Sequence, residues 1–197
     1  MEDSRLRRRY LKLMWEVDKR LEALHTLMNN QTNIPYLQIT IESEALQLRK
    51  LLEIIAYSSL IAHKTGYEKL REGVSKDWHA KRIIRKIEEI NPDFYPTPMT
   101  RTENRGWKRR NGGFLTKTQF ETLYDKCGDM MHTKNPFSKR SPNSLRFHER
   151  VPDYVERIEN LIRSHQVKLA GVEKLIFVNV PLFVNKPIQM TVLEKAN

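Results

Sequence analysis

From Leu6 to Met28 the apolar positions recur at intervals of four and three: Leu6, Tyr10, Met14, Val17, Leu21, Leu24 and Met28. At 100° per residue they share one narrow stripe, which predicts a long helix with a heptad-like seam. Such a seam suits an antiparallel partner helix or a second subunit. The polar stretch Asn29–Asn33 breaks it, and Pro35 falls in the first turn of a second helix. Ile41, Ala45, Leu48, Leu52, Ile55, Ser59 and Ala62 form the seam of that helix. Beyond Leu51 the apolar residues spread around the whole circumference, so this is the central helix, buried on all sides. Glu53 and Tyr57 lie on it four apart. Glu53 is expected to be a buried carboxylate satisfied by a hydroxyl or a basic partner.

Ser75 is placed to cap a third helix whose apolar face is Ala80, Ile83, Ile84, Ile87 and Ile90, and Asn91-Pro92 stops it. The stretch from Asn91 to Leu115, rich in proline and glycine, reads as a long irregular loop. Thr116 and Gln119 form a capping box opening a fourth helix that runs through His132. Its apolar face is Phe120, Leu123, Tyr124, Cys127, Met130 and Met131. A second basic loop is expected from Ser138 to Arg150. Pro152 then begins a fifth helix bearing Val155, Ile158, Leu161, Ile162 and His165, with Gly171 as its C-terminal cap. Leu175–Val180 and Ile188–Leu193 are β-rich runs separated by Asn185-Lys186-Pro187, which predicts a hairpin. The expected fold is mainly α: a bundle of about five helices over residues 1–170, with a C-terminal β-hairpin over 171–197 packed on the bundle or on a second subunit.

The chain has 197 residues, 39% hydrophobic and 30% charged, enough to build a core. Its longest apolar run, Leu51 to Ala62, is interrupted by Glu53 and is shorter than the ~20 residues of a membrane span. No apolar segment follows the first residues, so no secretory signal is expected and the cytoplasm is the expected location. The single cysteine, Cys127, excludes an internal disulfide and fits a reducing compartment. On an apolar helix face it reads as a small buried hydrophobe, not a nucleophile.

Charge changes the picture more. The net charge is +11, and residues 101–150 carry 12 basic side chains against 5 acidic ones. That balance favours a polyanion, either nucleic acid or an anionic membrane surface. Phe94, Tyr95 and Trp107 are interleaved with these cations, and aromatic faces can stack on bases while cations hold phosphates. The candidate nucleic-acid residues are Arg105, Trp107, Lys108, Arg109 and Arg110 in the first basic loop, and Lys134, Lys139 and Arg140 in the second. His148 lies between Arg146 and Arg150, a position that could bring it near phosphate.

Several chemistries have no sequence support: there is no phosphate-binding glycine loop, dinucleotide fingerprint, CxxC pair, HExxH or Gly-x-Ser-x-Gly. Asp125, Asp129 and His132 fall within an arc of about 60° on the fourth helix, a pattern open to metal ligation or acid–base work. The arc lies opposite the apolar face, where a solvated surface gives the same pattern. No fourth ligand is in view, so no metal and no cofactor are assigned.

The long first helix, the central helix from Glu44 to His63, and the later helix ending in Tyr124-Asp125-Lys126-Cys127-Gly128-Asp129-Met130-Met131-His132 resemble the HEPN superfamily. The resemblance spans about Leu6 to Leu169. It implies a small helical bundle, commonly a homodimer, and in many members a metal-independent endoribonuclease of prokaryotic antiviral defence or toxin–antitoxin systems. The usual motif is an Arg followed four to six residues later by a His, the two side chains meeting across a dimer cleft. At the motif's Arg positions this chain has Asp125, Lys126 and Cys127; Arg20 and His25 match the spacing on the first helix. By resemblance, His132 carries over as the acid–base residue and Lys126 as a charge stabiliser. The functional expectation is a basic helical protein that binds RNA in preference to DNA, with HEPN-like cleavage as what the resemblance adds. The alternative is a non-enzymatic dimerisation or partner-interaction module whose charge serves solubility.

Overall fold

The computed structural model describes residues 4–29, 33–62, 80–133, 137, 143–169 and 174–194. The heptad-like seam becomes helix α1, Ser4–Met28, with Tyr10, Met14, Val17, Leu21, Leu24 and Leu27 buried. It packs along α2, Leu37–Ala62, so the seam is used within the chain. All seven predicted seam residues of α2 are buried, and so are Leu51, Ile54, Ala56 and Ser58. That encirclement fits a central position: α2 also packs against α3 (Ala80–Ile90), α4 (Lys117–Met131) and the short α5 (Ser144–Glu149). Ala80, Ile83, Ile84 and Ile87 bury the face of α3. Its proposed cap, Ser75, lies outside the described residues, as does Gly171.

The capping box of α4 is present. Thr116 Oγ1 accepts from the Gln119 N–H, and the Gln119 side chain accepts from the Thr116 N–H. The second basic loop is not wholly irregular, because Asn143 accepts from the Arg146 N–H and starts α5. Helix α6, Val151–Ile162, then carries Pro at its start and Asp153 in its first turn, the places where a missing N–H and a negative charge favour a helix.

The sheet departs from the expected two-stranded appendage. Among the described residues there are five antiparallel strands: β1 Thr97–Arg101, β2 Trp107–Arg109, β3 Ser164–Lys168, β4 Lys174–Asn179 and β5 Gln189–Glu194, in the order β2-β1-β3-β4-β5. The irregular loop expected over Asn91–Leu115 therefore contains a hairpin. Its turn holds Arg105 at φ 59°, the Thr102 N–H donates to the Gly106 carbonyl, and the Arg110 N–H donates to the Pro98 carbonyl at 2.9 Å. The expected fifth helix also ends early. Ser164 to Lys168 pair with β4 at five consecutive positions, and Thr97 and Pro98 pair on the other side of β3. Saturating both edges of β3 outweighs further helical turns, since His165 and Val167 bury in the strand's period of two.

One sheet face, carrying Pro98, His165, Val167, Ile176, Val178 and Met190, is buried beneath the helices. His165 is the polar member of that layer. Its Nδ1–H donates to the Ile162 carbonyl at 2.8 Å, so its Nε2 accepts from the Tyr10 hydroxyl at 2.7 Å. Complete burial pushes its pKa down to about 4. On the opposite face Thr97, Gln166, Leu175 and Phe177 are half-buried and Lys168 is exposed. A mainly α protein thus has a sheet whose second face is not covered as the first is.

Candidate functional site

On that second face lies a cleft of about 1050 Å³, compared with about 200–260 Å³ for the three other depressions described below. Thr97, Gln166 and Leu175 of the sheet contribute to it. Arg109 ends β2 and Arg110 follows it, Lys168 comes from the end of β3, and Arg157 from α6. Tyr95, Phe114 and the Gly112–Gly113 turn complete the walls. Both glycines have positive φ, +84° and +69°, where any other residue is strained. The walls are tied by hydrogen bonds: the Tyr95 hydroxyl donates to the Leu115 carbonyl at 3.0 Å and Asn160 Nδ2 donates to the Gly113 carbonyl at 2.8 Å.

Four cations face one carboxylate lining the cleft. Asp93 accepts from Lys168 Nζ at 2.7 Å, and that lysine together with Arg109 holds the carboxyl below its ordinary range. Arg157 is paired outside the cleft lining with Asp153 at 2.8 Å. Arg109 and Arg110 have no ion pair among the described residues. Arg110 Nε is buried with no hydrogen-bond partner, a donor whose desolvation costs about 1–3 kcal/mol when left unmet.

The sequence-predicted residues divide. Arg109 and Arg110 line the cleft. Arg105 sits exposed in the hairpin turn, its carbonyl accepting from Arg101 Nη1 at 3.1 Å, and Lys108 is exposed on β2. Trp107 is not a free stacking platform. Its ring packs on Phe177 at 4.8 Å and lies under the Arg101 guanidinium at 4.5 Å, so it anchors the hairpin to β4 and orders Arg101. Lys134, Lys139 and Arg140 lie outside the described residues. Arg157 and Lys168 were missed because they lie outside the basic segment of the chain; the fold, not local charge density, brings them to the cleft.

The residues carried over from the HEPN resemblance are not brought together. Lys126 lines a depression of about 200 Å³ beside Tyr154, with its Nζ 3.4 Å from the Tyr154 hydroxyl. His132, the exposed C-cap of α4, lines a different groove of about 260 Å³ with Tyr36, Glu42 and Asp129. The described residues include no group of three or more His, Cys, Asp or Glu side chains placed to hold a metal. Cys127 is fully buried and its thiol is pushed up to about 12, which makes it a poor nucleophile.

Two acid–base pairs lay beyond the reach of the sequence pattern. Glu44, not Glu53, is the fully buried carboxylate. It meets His148 Nδ1 at 2.7 Å, its other oxygen has no partner, and burial raises its pKa against the opposing pull of His148. His148 is therefore turned to a carboxylate and not to the cleft. Glu53 is half-buried and paired with Arg49 and Lys50 at 3.5 and 3.0 Å. His25 meets Glu159 at 2.7 Å and joins α1 to α6. The remaining depression, about 230 Å³, lies between Trp15 of α1 and the Val180–Ile188 segment. No helix among the described residues is long and apolar enough to cross a membrane. Comparison with known proteins gives no matching family model, no similar curated protein and no similar solved structure.

Proposed function

We propose that the protein binds single-stranded RNA through the cleft, with strand phosphates held by Arg109, Arg110 and Lys168. The observation that carries this reading is the convergence of four cations on one cleft, two of them in no ion pair among the described residues and one with a buried unmet donor. Tyr95 and Phe114 in the walls add aromatic surface against which a base can pack. The Arg101 guanidinium, 4.5 Å from the centre of the Trp107 ring, extends the basic surface up the hairpin.

Phosphate binding releases counterions, so affinity should fall steeply with salt. For about three phosphate contacts the expected log–log slope is about −2, a loss of roughly 20-fold between 50 and 200 mM salt. Fluorescence anisotropy with a labelled single-stranded RNA measures it, and a slope near zero would reject the reading.

HEPN-type cleavage belongs to the same proposal only if two copies complete the site, since Lys126 and His132 serve different depressions within one chain. A labelled RNA incubated with the protein in chelator is expected to stay intact on a denaturing gel. Cleavage by the wild type, absent with a folded His132→Ala protein, would instead support the ribonuclease and place His132 in its site.

A further inference from the structure

The cleft is built for more charge than an internal phosphodiester supplies. We infer that it takes the phosphorylated end of an RNA strand, a phosphate monoester; this rests on the RNA-binding reading above. Lys168 and Arg157 are each already paired with a carboxylate, Asp93 and Asp153, the latter shared with Arg150 at 3.4 Å. What remains is the pair Arg109 and Arg110, two positive charges with no ion pair among the described residues. A phosphodiester carries one negative charge. A monoester carries about −1.5 to −2 near pH 7 and offers three acceptor oxygens. The monoester is the closer match to two arginines.

Geometry points the same way. The Arg110 guanidinium lies beside Gly113, with Nη1 3.9 Å from where a Cβ would stand, and its Nε is buried and unmet. A planar guanidinium fork is suited to bidentate contact with phosphate oxygens, and the Arg110 Nε is committed to no other acceptor. The space around Gly112 is open, and no side chain enters from the turn. The volume, about 1050 Å³, accommodates a terminal nucleotide and not only its phosphate. The hydrogen bonds that tie Leu115 to Tyr95 and to the Arg157 carbonyl fix the walls in advance, which lowers the ordering cost of binding.

The test compares ten-nucleotide single-stranded RNAs by anisotropy at low salt in chelator. One set is labelled at the 3′ end and bears a 5′-hydroxyl or 5′-phosphate; the other is labelled at the 5′ end and bears a 3′-hydroxyl or 3′-phosphate. At one of the two ends the phosphate is expected to tighten binding about tenfold. That ratio should fall to near one in Arg110→Ala and be reduced in Arg110→Lys, both checked for folding by circular dichroism. Equal affinity for phosphate and hydroxyl at both ends would overturn the inference and leave RNA binding standing. Failure of every RNA to bind would overturn both. A free nucleoside monophosphate binding as tightly as the phosphorylated strand would make the free nucleotide the ligand, and this too would overturn it.

Discussion

Replacing Arg109 and Arg110 together by alanine is expected to weaken RNA binding by about 100-fold at low salt. Each charge-assisted contact contributes about 1.5–3 kcal/mol, and the lower figure for both gives about 3 kcal/mol. The control is Arg8→Ala with Arg9→Ala, which removes the same formal charge from the exposed side of α1, away from the cleft. It should change affinity less than threefold. Equal losses in the two proteins would mean that net charge, and not the cleft, attracts the RNA. Stability supplies an independent readout. Because Arg110 Nε is buried without a partner, its removal relieves an unmet donor. The double variant should melt no lower than the wild type. A large fall in melting temperature would instead make these arginines structural.

The second large effect concerns acid stability. Folding lowers the His165 pKa from 6.5 to about 4. The unfolded chain therefore binds a proton that the folded chain refuses. The stability held above pH 6.5 is lost progressively as pH falls towards 4, by up to about 3 kcal/mol. Burial explains the refusal: a charge on the ring would be shut away from water with no carboxylate among its hydrogen-bond partners, and this outweighs the Ile162 carbonyl, which accepts from Nδ1–H and favours the protonated ring. Glu44 works in the opposite sense. Its raised pKa means that the folded carboxyl holds its proton more tightly than the unfolded one, so its contribution grows as pH falls. Urea unfolding of the wild type and His165→Gln at pH 7.5 and 4.5 separates the two. Glutamine keeps a donor and an acceptor but cannot titrate, so its stability should fall by about 2–3 kcal/mol less across that range. Parallel losses would remove His165 from the account.

The helices were legible because their signal repeats. Seven seam positions on α2 and five on α1 (Tyr10, Met14, Val17, Leu21 and Leu24) each sample one face many times, and the cap of α4 is a local pattern of four residues. The strands were not. β2 has three residues and β1 five, too few for a period of two to stand out amid prolines and glycines. His165 and Val167 fit the end of a helix and a strand equally well, and the choice is made by pairing with β4, which only the fold provides. The cleft was half legible. Arg109 and Arg110 stood in a dense run of charge, whereas Arg157 and Lys168 reach it from elements read as one continuous helix. The buried Glu44 was hidden because its partner, His148, lies 104 positions away and no local pattern links the two.

The same long-range design governs how the protein can be made. The first helix is held by groups from the far end of the chain: Arg7 donates to the Met190 carbonyl, Tyr10 meets His165, and Asp18 accepts from the Phe183 N–H, across separations of 183, 155 and 165 residues. Strand β3 likewise gains its two neighbours from before and after it in the sequence. During synthesis α1 and α2 can pair early, but the sheet cannot close until translation has passed Met190. Such a topology folds slowly, and until then α1 and the β1–β2 hairpin remain without their C-terminal partners, open to non-native association. The nascent chain is thus most vulnerable to aggregation in the interval before Met190 emerges, when most of its core residues exist and the strands that seal them do not.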